Sequence, residues 1–548
     1  MEGCVPYPDE FVKVYKEKGY WEDITIGEHF DRWVEQYADR IAIAYHGQEV
    51  TFRRMDEYVT RIAYHMAKMG IKTYDRVIFQ LFNGPEVVYL FYACMKIGAI
   101  PICSLATHRW AEISFFAKKA EARAHIIPAG TVLDFDYEEF AEELREEVPS
   151  LEFVLTVGKP ERPNMVSVNE LMNSDIDLIA AKEALAPYRP DPMEPAVFQL
   201  SGGTTGVPKI IPRRHNEYYY NAKCNASAQG IDENDRFITL QPMMHNSPLS
   251  FQILPTHFMG GAVVPAAPKP DAFIRAITED KATMCLYAGP FAEIIDAAKS
   301  KNIDLGSLRK LWVMMTPPDK AIEIRKTLQI ESIQLFGMAE GFGTSTRLSD
   351  SLETKLHTLG RPLSEADEVR IVAPGTEDDL PVGEIGEMIC RGPYTIRGYY
   401  KAEERNKEAF TSDGFYRSGD LCKLDAQGNM TWCGRIKDCI DRGGEKVSAE
   451  EVEGHVLSFS KVKGVAVVAM PDKRLGERIC AFVIPKPGET FTLEELRDFL
   501  LNERKIAKFK APERLEFADG FPLTHVGKLD KKTLRGKIAG ILESEGKI

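Results

Sequence analysis

The chain has 548 residues, enough for two to four domains and a large buried core. Its 69 Lys and Arg against 82 Asp and Glu leave a net charge of −13, which argues against a general nucleic-acid binder. The ten cysteines (Cys4, Cys94, Cys103, Cys224, Cys285, Cys390, Cys422, Cys433, Cys439, Cys480) form no CxxC pair. Neither a zinc site nor a disulfide framework is expected, and a reducing cytoplasm fits. The first residues are soon charged and hold no secretory apolar core. Phe251 to Pro268, the most apolar region, is broken by Pro255, His257, Gly260 and Gly261. It reads as buried core and not as a membrane span.

In chain order, Ile41–Tyr45 is strand-like and His46-Gly47-Gln48 is a turn. Thr51 is the N-cap of a helix carrying Met55, Tyr58, Val59, Ile62 and Met66 on one face, stopped at Gly70. A strand at 76–81, a helix through 86–97 and a strand at 99–103 follow. The alternation recurs with strands at 124–128, 152–157 and 194–200, which predicts α/β units around parallel sheet. Beyond lie a helix at 216–228, strands at 236–240, 284–287, 310–315 and 332–336, and helices at 271–279 and 290–300. From about 367 to 432 short alternating segments between Gly, Pro and Asp turns predict antiparallel sheet. From Gly434 on, a helix (449–459), strands (464–470, 478–485), a helix (492–503) and a basic, Pro-punctuated end predict a compact α+β domain. The expected division is 1–434 and 435–548.

Five stretches carry chemistry. In Leu200-Ser-Gly-Gly-Thr-Thr-Gly-Val-Pro-Lys209, the glycines Gly202, Gly203 and Gly206 let backbone N–H groups approach an anion. Ser201, Thr204 and Thr205 add hydroxyl donors and Lys209 a charge, which suits a polyphosphate; a Gly/Ser/Thr linker is the plainer alternative. The spacing is not the Walker pattern, which disfavours a P-loop kinase. In Leu335-Phe-Gly-Met-Ala-Glu340 a strand and glycine turn place Glu340 at the open end of a sheet, where ligands bind. A carboxylate there suits Mg²⁺ and Phe336 suits a base; a helix-start Glu over a core Phe is equally compatible. Asp420, in Phe415-Tyr-Arg-Ser-Gly-Asp420, is a turn residue or a partner for two ribose hydroxyls. Gly434-Arg-Ile-Lys-Asp438 with Arg442-Gly-Gly-Glu-Lys446, and Pro522-Leu-Thr-His-Val-Gly-Lys528, read alone as a charged linker and a solvated lysine.

In this order the five motifs resemble the adenylate-forming (AMP-binding) superfamily of acyl-CoA synthetases, adenylation domains and luciferases. The resemblance covers essentially the whole chain. Phe198–Gly206, Ile211-Pro-Arg-Arg-His-Asn-Glu-Tyr-Tyr-Tyr220, His245-Asn246, Phe336–Gly341 and Arg391-Gly-Pro-Tyr-Thr-Ile-Arg-Gly-Tyr-Tyr400 are similar to the aryl acid–AMP ligase branch, of the 2,3-dihydroxybenzoate–AMP ligase type. The resemblance implies a large N-terminal domain of mixed and parallel sheets with a β-rich subdomain, and a small mobile α+β C-terminal lid. It implies a carboxylic acid, Mg·ATP, an acyl-adenylate with release of pyrophosphate, then a thioester with release of AMP.

It also implies roles. Ser201, Thr204, Thr205 and Lys209 would hold the phosphates within the loop of Gly202, Gly203 and Gly206. Phe336, Gly337, Met338 and Ala339 would border the nucleotide, and Glu340 would bind Mg²⁺. Asp420 would hold the ribose with help from Arg435, and Lys528 would bridge the acid and the α-phosphate. His245 would border the acid, Lys437 would be the hinge, and Gly443 and Gly444 would line the thiol's tunnel. Asn246 matches the residue that meets an ortho-hydroxyl in the aryl branch. The pocket departs from the pattern at Phe251, where Ser or Cys is expected, at Met314-Met315-Thr316 in place of small residues, and at Gly343 in place of an aliphatic one. Phe251 leaves a 3-hydroxyl without a partner, so 2,3-dihydroxybenzoate is not the expected substrate. An aryl or cyclic acid with CoA as acceptor is placed slightly ahead of an aryl acid–AMP ligase serving a carrier-protein phosphopantetheine; a silent adenylate binder is a third reading.

Overall fold

Local sequence signals set the helix ends. The Thr51 side chain accepts a hydrogen bond from Arg54 N, and Gly70 closes the helix Phe52–Met69 at φ +101°. Such a cap is worth roughly 1 kcal/mol, and glycine takes the left-handed C-cap position with no Cβ to strain. Met55, Val59, Ile62 and Met66 are fully buried, as their spacing predicts, and Tyr58 is half-buried at the edge. The helix Pro85–Ile97 differs in being apolar on every side, and Leu90, Phe91, Tyr92, Ala93 and Cys94 are all buried. A helix with no polar face lies inside the core rather than over it.

The structure, a computed structural model, describes residues 1–200, 209–287, 305–314, 318–443, 445–523 and 529–547. The helix predicted at 290–300 lies outside them. So do Ser201, Gly202, Gly203, Thr204, Thr205, Gly206, Met315, Gly444 and Lys528. The described residues fall into two compact units. One takes the chain up to Glu368 with Cys390–Tyr416, and the other takes Val369–Ile389 and Arg417–Ile548. Among the described residues no helix is long and apolar enough to cross a membrane.

The first unit holds two large sheets. One runs Ile210–Arg214, Pro195–Leu200, Ile100–Cys103, Arg76–Phe79, Ala124–Pro128, Phe153–Val157, Val166–Ser167. It is parallel apart from the hairpin of its first two strands, where Leu200 pairs with Ile210. Lys209 therefore stands at the mouth of that hairpin. The other sheet runs Arg361–Pro362, Gly343–Ser345, Glu331–Gly337, Lys310–Met314, Met284–Tyr287, Arg236–Thr239, Ala262–Pro265, Ile41–Tyr45, Gln48–Thr51. Its middle is parallel and its two ends are antiparallel. The parallel strands read as unbroken apolar runs because both their faces are covered. This is the mixed α/β fold the alternation predicts.

The second unit carries a four-stranded sheet (Glu368–Val372, Gly386–Arg391, Tyr416–Leu424, Met430–Arg435). It also carries a sheet of Glu445–Ser448, Cys439–Arg442, Gly476–Pro485 and Val462–Asp472, with Arg514–Phe517 paired to Gly476–Pro485. The basic C-terminal end, read only as Pro-punctuated, forms the helix Lys531–Ser544. Leu534, Ile538 and Leu542 are buried along one side at four-residue spacing, and Asp530 caps it through Lys532 N and Thr533 N. The helix expected at 492–503 is α-helical over Leu493–Asp498 and ends in a π-helical turn, Phe499–Glu503.

Asp367 gives the first unit a pH dependence. It is half-buried with its Oδ1 shut off from solvent, accepts at Oδ2 from Tyr394 Oη and Ser364 N, and has no partner for Oδ1 among the described residues. Burial pushes its carboxyl up to about 7. The unfolded chain then ionises near pH 4 while the fold keeps the proton, so stability falls as pH rises from about 4 to about 7 and levels off above. Asp367→Asn is therefore expected to gain stability relative to wild type over that window, in paired thermal melts at stepped pH. A difference that does not change with pH would show that Asp367 titrates normally.

Candidate active site

Strand pairing builds the first part of the site. Glu331–Gly337 and Gly343–Ser345 are antiparallel, with Gly337 opposite Gly343 and Phe336 opposite Thr344. The turn between them is tied by Met338 N to Phe342 O and Gly341 N to Met338 O, each 3.1 Å. It sets Glu340 inward and buried, beside the strand ends. Gly341 sits at φ +123°, and a Cβ there would lie 1.7 Å from Tyr394 O. Only glycine allows the 394–396 segment this close, and Ile396 N donates to Glu340 O at 2.9 Å.

The Gly337–Gly343 pair makes a flat patch, and the Phe251 ring lies on it. A Cβ at Gly337 would be 2.5 Å from Phe251 Cζ, and one at Gly343 would be 3.4 Å from it and 2.9 Å from Leu363 Cδ1. The Phe251 ring thus uses the space a side chain at 337 would fill, while a Cβ at 343 would touch the ring at an ordinary distance and crowd Leu363. Phe251 is carried by a π-helical turn, Leu249–Ile253, which follows the short helix Asn246–Pro248. The extra residue in such a turn shifts which side chains face the neighbouring strands. The sequence carries no signal for it.

Asn246 is buried, and two donors converge on its Oδ1: Tyr218 Oη at 3.1 Å and Arg213 Nη1 at 3.2 Å. That fixes the amide orientation and turns Nδ2 away as a donor, with only a long 3.5 Å contact to Met338 O. Arg213 was legible only as one letter of the motif at 211–220, yet it organises this region. It is fully buried, paired with Glu217 at 2.8 Å, and also donates to Ala339 O at 2.9 Å and Tyr394 O at 3.2 Å. His245 is half-buried and caps the Asn246 helix by accepting from Ser247 N at Nδ1, 3.3 Å.

Lys209 and Glu340 meet on one side chain that sequence reasoning missed. Tyr399 Oη donates to Glu340 Oε1 at 2.8 Å, and Lys209 Nζ lies over the Tyr399 ring, 4.7 Å from its centroid. Burial is the main force lowering the Lys209 pKa; Arg405 adds to it and Glu340 opposes it. Among the described residues Glu340 Oε2 accepts no hydrogen bond, so a hard oxygen ligand is on offer there. This suits Mg²⁺, which takes few protein carboxylates and keeps the rest of its shell for water and phosphate.

In the second unit Asp420 and Arg435 are cross-strand partners. Arg435 Nε lies 3.2 Å from Asp420 Oδ1, which also accepts from Trp432 Nε1 at 3.0 Å. Trp432, two residues short of Gly434, was not singled out from sequence. Lys437 follows in a short 3-10 turn, and its carbonyl accepts from Arg535 Nη1 at 3.1 Å. Gly443 is in the left-handed region at φ +64° and donates to Leu475 O at 2.8 Å.

The chain matches the sequence profile of the AMP-binding enzyme family over residues 30–400 and that of the AMP-binding enzyme C-terminal domain over 451–528. It is 39% identical to the 2,3-dihydroxybenzoate-AMP ligase of Bacillus subtilis, covering 98% of each chain. It is 37% identical to a salicylyl-CoA synthase / salicylate adenylyltransferase of a Streptomyces species, covering 99% of each. It is 35% identical to the salicyl-AMP ligase / salicyl-S-ArCP synthetase of Mycobacterium tuberculosis, covering 97% of this chain and 94% of that one. Among solved structures, apo MbtA of Mycobacterium smegmatis superposes with a TM-score of 0.72 at 35% identity, covering 98% of this chain and 99% of that one. The chain belongs to the AMP-binding enzyme family, as an AMP-forming ligase of carboxylic acids.

Proposed function

We propose that the protein activates an aryl carboxylic acid with Mg·ATP and passes the acyl group to the phosphopantetheine thiol of a carrier protein. The observation that carries this is full-length similarity, at 35–39% identity, to relatives named for hydroxybenzoate activation. The sequence alone placed free CoA slightly ahead as the acceptor. The relatives favour the other order: two are named as AMP ligases, one of those also for an ArCP thioester, and the third names both CoA and adenylyl transfer. The scattered free cysteines support a cytoplasmic setting.

On this reading a carboxylate oxygen attacks the α-phosphorus and pyrophosphate leaves; the thiol then attacks the acyl carbonyl and AMP leaves. Both steps gather negative charge, so fixed donors and cations supply most of the rate. Ser201, Thr204, Thr205 and Lys209 hold the β- and γ-phosphates, and Lys528 bridges the acid and the α-phosphate. Glu340 holds the Mg²⁺ that accompanies ATP, an ion that offsets phosphate charge when bound. Asp420, its Oδ1 engaged by Trp432 and Arg435, receives the ribose hydroxyls. Lys437 is the hinge of the segment 435–548, which presents Lys528 in the first step and Gly443-Gly444 in the second. Incubating the adenylated enzyme separately with CoA and with a phosphopantetheinylated aryl carrier protein tests the acceptor. Thioester on the carrier at a much higher rate is expected; equal or faster transfer to CoA would overturn that half of the proposal.

The acid lies against Asn246 and Phe251. Asn246 Nδ2 donates to an ortho oxygen, and Phe251 with Gly343 closes the wall where a 3-hydroxyl would need a partner. Salicylate is favoured over 2,3-dihydroxybenzoate. Phe251→Ser is expected to raise the kcat/KM ratio of 2,3-dihydroxybenzoate to salicylate by about tenfold or more. Gly343→Leu, which sets a side chain against Phe251 and Leu363, is expected to depress both. An unchanged ratio in Phe251→Ser together with unaltered kcat/KM values in Gly343→Leu would remove these residues from the acid pocket.

A further inference from the structure

Tyr399 belongs to no helix or strand, yet it is held on all sides. Its N–H donates to Asn406 Oδ1 at 2.8 Å and its carbonyl accepts from Asn406 Nδ2 at 3.1 Å. The ring is 1% exposed. Its hydroxyl donates to Glu340 Oε1, and since it has one proton, the 3.1 Å contact to Tyr416 Oη runs from Tyr416 to Tyr399. Tyr416 is itself buried. A phenol keeps its proton at neutral pH, so the chain Tyr416 to Tyr399 to Glu340 keeps its direction. The face of the same ring carries the Lys209 ammonium. A buried tyrosine bonded to one carboxylate would be ordinary packing. A ring pinned through its backbone, with a carboxylate on its hydroxyl and an ammonium on its face, fixes two opposite charges relative to each other.

We propose that Tyr399 is a positioning residue that presets Glu340 and Lys209 for a metal-bound triphosphate. By occupying Oε1 it leaves Oε2 for the cation and limits rotation of the carboxylate. Partners of this kind behind a metal ligand are worth about 10- to 100-fold in metal affinity. The inference rests on Glu340 as the metal ligand, and the test separates the two.

Mn²⁺, read by its EPR signal, stands in for Mg²⁺, and α,β-methylene-ATP is the nucleotide, with the full chain throughout. In Tyr399→Phe, which keeps the ring under Lys209, Mn²⁺ affinity of the nucleotide complex is expected to fall about tenfold or more, with nucleotide affinity in EDTA unchanged. Tyr416→Phe, which leaves the Glu340 bond in place, is expected to weaken Mn²⁺ in the same direction by less. Glu340→Gln is expected to lose the tight Mn²⁺ site. Wild-type Mn²⁺ affinity in Tyr399→Phe, beside loss in Glu340→Gln, overturns the role of Tyr399 alone. Wild-type affinity in Glu340→Gln overturns Glu340 as the ligand. If Tyr399→Phe does not fold, Tyr416→Phe decides: unchanged Mn²⁺ affinity overturns the proposal.

Discussion

Arg213→Ala is expected to destabilise the first unit by about 3–5 kcal/mol, the usual cost of leaving one member of a buried ion pair without the other. Glu217 is 1% exposed, and burial already pushes its carboxyl upward; the guanidinium and Arg214 N are the forces that oppose this. The same substitution orphans Ala339 O and Tyr394 O and removes one of the two donors that orient Asn246. Binding should suffer with stability, and KM for the acid should rise more than KM for ATP. Replacing both partners, Arg213→Met with Glu217→Leu, tests the distinction. Apolar isosteres of a buried pair restore stability, but they cannot orient Asn246. Urea titrations that return toward wild type while KM for the acid stays high are the expected pattern. A single Arg213→Ala variant with wild-type stability would contradict the buried-pair account.

Gly341→Ala should have an effect of similar size through the backbone. At φ +123° any side chain is strained, and the new Cβ would meet Tyr394 O at 1.7 Å, Tyr394 C at 2.7 Å and Thr395 Cα at 3.1 Å. These are backbone atoms, so no rotamer change relieves the clash. The 338–342 turn or the 394–396 segment must move, which breaks the Ile396 N to Glu340 O bond and displaces Glu340. Strain and overpacking together are expected to cost more than about 3 kcal/mol. Where protein survives, adenylation should fall by at least about 100-fold, because small displacements of a catalytic group are costly. Gly454→Ala is the control, since nothing lies within 4 Å of a Cβ there. Near-normal activity in Gly341→Ala would mean that Glu340 is not positioned by this approach.

What was legible in the sequence divides along physical lines. Thr51 and Gly70 announce a helix because caps are local chemistry, and the strands from 76 to 336 announce themselves as apolar runs. The helix Lys531–Ser544 carries a signal in Asp530 and the series Leu534, Ile538, Leu542, but basic residues between them disguise the period. The helix Ile26–Tyr37 carries a capping box, Thr25 with Glu28, a local signal of its start. The site motifs were legible because glycines, hydroxyls and charges at fixed spacing have a chemical meaning on their own. Arg213, Tyr218, Tyr399 and Trp432 do not. Tyr218 acts on Asn246, Tyr399 on Glu340, and Arg213, besides its near neighbour Glu217, on Asn246, Ala339 and Tyr394, so no short window along the chain contains these pairs, and Trp432 meets Asp420 only across a strand pairing. Phe251 and Gly343 are each departures in the sequence, and only the cross-strand pairing of Gly337 with Gly343 shows that they belong to one patch.

The central claim is that this chain makes an adenylate of an ortho-hydroxylated aryl acid. Acid-dependent exchange of labelled pyrophosphate into ATP tests it, with salicylate, 2,3-dihydroxybenzoate, benzoate, 2-aminobenzoate, cyclohexanecarboxylate and short and medium fatty acids assayed side by side. Strong exchange with salicylate, weaker exchange with benzoate and 2,3-dihydroxybenzoate, and none above background with the aliphatic acids is the predicted result. Exchange driven best by an aliphatic acid, or no exchange with any aryl acid, would contradict it.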